Sequence, residues 1–178
     1  MRRSSRDHPG GVRRVAIDGM LFALAMALSA AEGILPIPAP MPGIRLGLAN
    51  IVVMYAVFFV GRWDALTLAM LKGLFALLTR GAVAGALSLA GSLLSVLIMI
   101  MLIAIFGKHI SYFMLSVAGA LAHNAGQLIV VKLIYASLAA AAFVPILTMS
   151  GIAAGFVTAG ILRAFMPAAK RMGFIARR

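Results

Sequence analysis

Six apolar segments, joined by short links that are charged or rich in glycine and proline, take up almost the whole chain. They run at 15–35, 44–60, 65–79, 82–106, 112–135 and 143–166. About 20 apolar residues cross a bilayer core as a helix, so this pattern predicts an all-α, polytopic integral membrane protein with six transmembrane helices. The membrane domain is expected at 15–166, between a basic tail at 1–14 and another at 167–178.

Charge placement supports the even count. The chain holds 16 Lys and Arg against 4 Asp and Glu, and the cations gather where apolar segments end. Arg2, Arg3, Arg6, Arg13 and Arg14 precede the first segment, while Arg163, Lys170, Arg171, Arg177 and Arg178 close the last. Short cytoplasmic loops collect Lys and Arg, so both ends are expected in the cytoplasm, with Arg62, Lys108 and His109 in cytoplasmic turns between them. The expected location is a cell membrane, with anionic lipid headgroups as the counter-charges. Nucleic-acid binding is disfavoured, because that reading needs a soluble basic face rather than charges that flank spans. The first segment is too long, and too closely followed by further spans, to read as a cleaved signal peptide. Cysteine is absent, which removes disulfides, thiolate catalysis and Cys-based metal sites.

The first helix carries a regular stripe. Gly19, Ala23, Ala27 and Ala31 recur every fourth residue and form one slowly drifting line of small side chains. Such a line permits close helix approach, against a separate partner or against another helix of the same chain. Asp18 and Glu32 fall about 40° apart on the same wheel, on average opposite the stripe. Ala65, Ala69 and Gly73 repeat the spacing in the third helix.

Ionisable and amide groups inside the bilayer are costly and are kept for function or pairing. Glu32, Arg45 and Arg80 are expected near the outer surface, Lys72 and Asn50 inside the third and second helices, and His123, Asn124 and Gln127 within an arc of about 100° on the fifth. Cationic and amide groups converging from separate helices suit a small anionic solute. The same groups could also hold the helices together by hydrogen bonds, with Glu32 paired to Arg45 or Arg80. Lys132 lies about half a turn from His123 and reads as a snorkelling residue. A metal site is not expected, since His123 lacks a second ligand at the right spacing. The segment 36–43, with prolines at 36, 38, 40 and 42, must be an extended loop over the outer mouth. Ser88, Ser92 and Ser95 share a face of the fourth helix beside Gly85 and Gly91 and read as packing residues.

Three runs, PGIRLGLANIVVMYAVFFVG at 42–61, GALAHNAGQLIVVKLI at 119–134 and SGIAAG at 150–155, resemble the bacterial Gx transporter family, also labelled heptaprenyl diphosphate synthase component I. That family is similar to the substrate-binding S-components of energy-coupling-factor transporters. The resemblance implies a six-helix, S-component-like bundle that captures a micronutrient or cofactor precursor, served by a transmembrane coupling subunit and ATPase subunits. It also implies that Ala23, Ala27 and Ala31 contact the coupling subunit. Lys72 stands where Arg is frequent in the family.

The synthase label is at odds with catalysis by this polypeptide, and no cofactor is expected. Prenyl diphosphate synthases hold Mg²⁺ through clustered aspartates, whereas Asp7, Asp18, Glu32 and Asp64 are scattered. No GxxxxGK[ST] phosphate loop is present for ATP hydrolysis. The alternatives to a solute-binding subunit are a non-catalytic membrane subunit of a prenyl diphosphate synthase, or a self-contained carrier. The carrier would be expected to show an internal repeat, and none is evident.

Overall fold

The chain reverses direction where glycine interrupts an apolar run, and these reversals set the helix order. The computed structural model describes residues 11–34, 49–135 and 144–171. Among these residues there are six helices: α1 (Gly11–Ile34), α2 (Asn50–Tyr55), α3 (Arg62–Arg80), α4 (Ala82–Phe106), α5 (Tyr112–Tyr135) and α6 (Val144–Arg171). Arg45, Gly47, the proline loop at 36–43 and the outermost arginines of both tails lie outside the described residues. Among the described residues, three helical stretches are long and apolar enough to cross a membrane: Val15–Ile34, Ala82–Phe106 and Tyr112–Ile134. The apolar parts of α2 and α6 are shorter, at Asn50–Val60 and Leu147–Ile161. Helix α3 carries Arg62, Asp64, Lys72 and Arg80 along its length, which dilutes its apolar character.

Gly81 alone joins α3 to α4. Its φ of +88° lies in the left-handed region, and its N–H donates to the Leu77 carbonyl at 3.0 Å, closing the last turn of α3. Gly107, at φ +55°, turns the chain out of α4 into a short 3-10 segment, Gly107–His109, ahead of α5. The link after α2 is different. The helix widens into a π segment, Ala56–Val60, where the Gly61 N–H donates to the Ala56 carbonyl at 2.9 Å. This wide turn carries Phe58 and Phe59 into an aromatic group with Tyr55 and Tyr112, with ring centroids 4.9 Å apart for Phe58–Tyr112 and for Tyr55–Phe59.

Helix α4 packs between α3 and α5, α6 packs on α5, and α1 leans on α3 and α2. Lipid offers no hydrophobic drive for helix association, so the crossings rely on small residues that let backbones meet. A methyl group at Gly126 would stand 2.7 Å from the Ala90 carbonyl oxygen, and one at Gly155 would stand 2.7 Å from the Val117 Cα. Gly73 meets Leu89, Gly85 meets Leu77, and Gly91 meets His123 in the same way.

The apolar interior divides into layers. Val53, Met54, Ala56, Ala65, Leu68, Ala69, Val96, Met99 and Leu115 form a buried cluster towards the Arg62 end of the bundle. Leu87, Val131 and Leu147 form a smaller one towards the other end. Asn50, Lys72, Ser88, Ser92, His123, Asn124 and Gln127 lie between these two clusters, whereas the buried Asp64 and Ser116 sit at the Arg62 end beside Ala65 and Leu115.

A candidate solute site in the polar layer of the helix bundle

Helical rise brings polar residues from three helices to one depth. Gly73, next to Lys72, packs on Leu89, and Gly91 packs on His123, so Lys72, residues 88–92 of α4 and His123 share a depth, with Ser95 about one turn nearer the Phe106 end. Asn50, Lys72, Ser88, Ser92, Ser95, His123, Asn124 and Gln127 are all buried. Glu32 is buried at the end of α1, whereas Arg80 is only half-buried. Lys132 is exposed, in keeping with a snorkelling role.

The segment of α4 from Ser88 to Ser92 is the centre of this layer. Gly73, next to Lys72, packs on Leu89 from one side, while His123 and Gly126 pack on Gly91 and Ala90 from the other. Lys72 is therefore close enough to act electrostatically on His123, and it feels the opposite charge of Glu32 and the like charge of Arg80. Glu32 of α1 and His123 of α5 thus both lie within electrostatic reach of Lys72 on α3.

The hydrogen bonds divide the residues into two groups. Asn124 Nδ2 donates to the Leu147 carbonyl of α6 at 2.7 Å, so its nitrogen is committed to a helix–helix contact. Gln127 Nε2 lies 3.3 Å from His123 Nε2, one turn away on the same face of α5. Asn50 Nδ2 donates to Ser95 Oγ at 3.2 Å, tying α2 to α4. Lys72 Nζ, Ser88 Oγ, Ser92 Oγ, His123 Nδ1, Asn50 Oδ1 and Gln127 Oε1 are buried with no hydrogen-bond partner among the described residues. A buried polar atom without a partner costs free energy, and an unpaired ammonium costs most.

The serines of α4 belong to this layer as well as to the packing. Their spacing at 88, 92 and 95 places them on one helix face, which is the signal that points to them. Ser95 serves as an acceptor for Asn50, while the other two hydroxyls are buried without partners among the described residues.

Asn124→Ala is expected to lower the thermal stability of the solute-free protein by about 0.5–1.5 kcal/mol, the net value of one intramolecular hydrogen bond. Thermal unfolding in detergent checks this. An unchanged midpoint would mean that the Asn124–Leu147 contact does not hold α5 to α6.

The small residues of α1 and α3 have opposite environments. Ala65, Ala69, Gly73 and Ala76 are buried, so this stripe of α3 is an internal packing face. Gly19, Ala23, Ala27 and Ala31 are exposed, and a methyl group at Gly19 would meet no atom within 4 Å. The same helix turns Ala25, Ser29 and Glu32 inward.

No curated protein and no solved structure matches the chain. The model of one protein family, heptaprenyl diphosphate synthase component I, matches residues 21–166, which takes in α1 from Leu21 through most of α6. Over that extent the chain belongs to the heptaprenyl diphosphate synthase component I family.

Proposed function

We propose that the chain is a non-catalytic, six-span membrane subunit that binds a small anionic solute in its polar layer and docks on a transmembrane coupling subunit through α1. ATPase subunits then supply the energy for uptake, as in the S-components that the sequence resembles. The observation that carries this reading is the division of α1 into two faces. Its small-residue stripe is exposed, while Ser29 and Glu32 point inward. A helix shared in this way is suited to bridge a partner and a site. Lys72, the serine hydroxyls and the free amide oxygens supply polar groups for a solute, and Glu32 and Arg80 tune the charge around them.

The family description favours a second reading, in which the chain anchors or regulates a soluble prenyl diphosphate synthase. The α1 stripe would then assemble the membrane part of that complex. Neither reading asks this chain to catalyse, because its few carboxylates are not clustered to hold Mg²⁺ and diphosphate.

Affinity purification of the tagged chain from native membranes in mild detergent tests the choice. Co-purification of ATPase subunits is expected. Recovery of a soluble prenyl synthase without ATPases would replace the first reading with the second. Reporter fusions at both termini are expected to lie in the cytoplasm, and an outward terminus would overturn the six-span count.

A further inference from the structure

The unpartnered atoms of the polar layer include acceptors as well as donors, and this restricts what the layer accommodates. Lys72, Asn50 and Gln127 are 5%, 4% and 3% exposed, so none of the three is satisfied by bulk water. Lys72 Nζ can only donate. The free atoms Asn50 Oδ1 and Gln127 Oε1 can only accept.

The orientation of Gln127 follows from its neighbours. His123 Nδ1 lies against the backbone of Gly91 with no hydrogen-bond partner among the described residues, and Gln127 Nε2 lies 3.3 Å from His123 Nε2, which is an acceptor in the tautomer that carries its proton on Nδ1. The group of Gln127 that suits an acceptor is its amide nitrogen, and the carbonyl is thereby turned away and left free. For Asn50, the nitrogen is engaged by Ser95 and the carbonyl is again the free end.

A solute built only of anionic oxygens, such as a diphosphate, would satisfy Lys72. It would also set negative charge against two buried carbonyl oxygens in a low-dielectric site, where repulsion is strong. A solute with both a carboxylate and an N–H group meets Lys72 Nζ and the two free carbonyl oxygens with their complements. We propose that the polar layer takes a small solute carrying one carboxylate, received by Lys72 with the Ser88 and Ser92 hydroxyls, and at least one N–H donor, received by Gln127 Oε1 or Asn50 Oδ1. This inference rests on the solute-binding reading above and narrows it to a chemical class.

The test uses the purified full-length chain in detergent. Its thermal midpoint is followed against matched pairs of carboxylic acids with and without an amino group, from two-carbon acids to bicyclic ones. Inorganic diphosphate and geranyl diphosphate complete the set. In at least one pair the amino acid member is expected to bind at least ten times more tightly than its amine-free counterpart, since a site built for an N–H rejects the analogue that lacks it. Replacing the carbonyl that receives the N–H, by Gln127→Met or Asn50→Leu, should shrink that ratio to about twofold or less. The comparison within pairs is made on the unmodified chain, so it stands even if a variant does not fold. Equal affinities throughout all pairs, or no binding by any acid, would overturn the proposal. Stabilisation by a diphosphate alone would overturn the class and keep a solute site. Silence from every probe, together with a co-purified prenyl synthase, would remove the solute-binding reading itself.

Discussion

Lys72→Met is expected to abolish solute binding while the bundle still assembles. Methionine keeps an unbranched, flexible side chain of similar length, so the packing between α3 and α4 around Gly73 and Leu89 has no reason to change. What is lost is a buried ammonium with no hydrogen-bond partner among the described residues. Removing one member of a buried charge pair typically costs about 2–5 kcal/mol of binding, roughly 30-fold to several thousandfold in Kd. In the solute-free protein two effects oppose each other. The desolvation cost of Lys72 disappears, but Glu32 loses an opposite charge that acted on it. The change in thermal midpoint is therefore expected to be small compared with the change in affinity. Binding isotherms and thermal unfolding on the same preparation separate the two. Lys72→Arg retains the charge with a planar, more bulky head, so partial retention of binding would show that charge rather than shape is being read. Full affinity in Lys72→Met would mean that Lys72 serves only the internal charge balance.

Helix ends were legible wherever an apolar run met a glycine. The run at 82–106 and the helix Ala82–Phe106 coincide because Gly81 and Gly107 adopt positive φ and nothing in the run competes with helix. The run at 65–79 proved too short. Helix α3 extends from Arg62 to Arg80, since charged residues at a helix end interrupt hydropathy without interrupting backbone hydrogen bonds. The π segment at Ala56–Val60 was not legible, because it depends on the Gly61 amide reaching back to Ala56 and on Phe58 and Phe59 packing with Tyr112, fifty or so residues away.

The site was partly legible for a related reason. One helical wheel identifies a polar sector but not what each edge of that sector touches. His123, Asn124 and Gln127 share an arc of about 100°. His123 and Gln127, one turn apart, form a pair beside α4, while Asn124 points along the edge of the arc to the backbone of α6. In the sequence Ser88 and Ser92 read as packing residues, because a serine hydroxyl in a helix can satisfy itself on its own backbone. Their lack of partners among the described residues depends on the neighbouring helices and was invisible in α4 alone.

The two small-residue stripes give the other large effect expected. Ala27 and Ala69 are both interior members of the same four-residue pattern, on α1 and α3. Spacing does not distinguish them, but burial does: Ala69 is fully buried in the apolar cluster with Leu68, Val96 and Met99, and Ala27 is exposed. Ala69→Leu adds bulk where neighbouring backbones and side chains leave no room, and overpacking of this kind costs about 1–3 kcal/mol or more. It is expected to lower the thermal midpoint strongly or prevent recovery of folded protein. Ala27→Leu adds the same bulk to an open face, so the isolated chain should unfold at the wild-type temperature and bind solute as before. In native membranes, however, the longer side chain stands where a partner helix must approach closely, and co-purification of the partner should be lost. The paired design makes the result decisive, since the two variants are expected to fail in different assays. If Ala27→Leu destabilises the isolated chain, the α1 stripe packs within the bundle. If it leaves both stability and assembly untouched, the partner docks elsewhere and α1 meets only lipid.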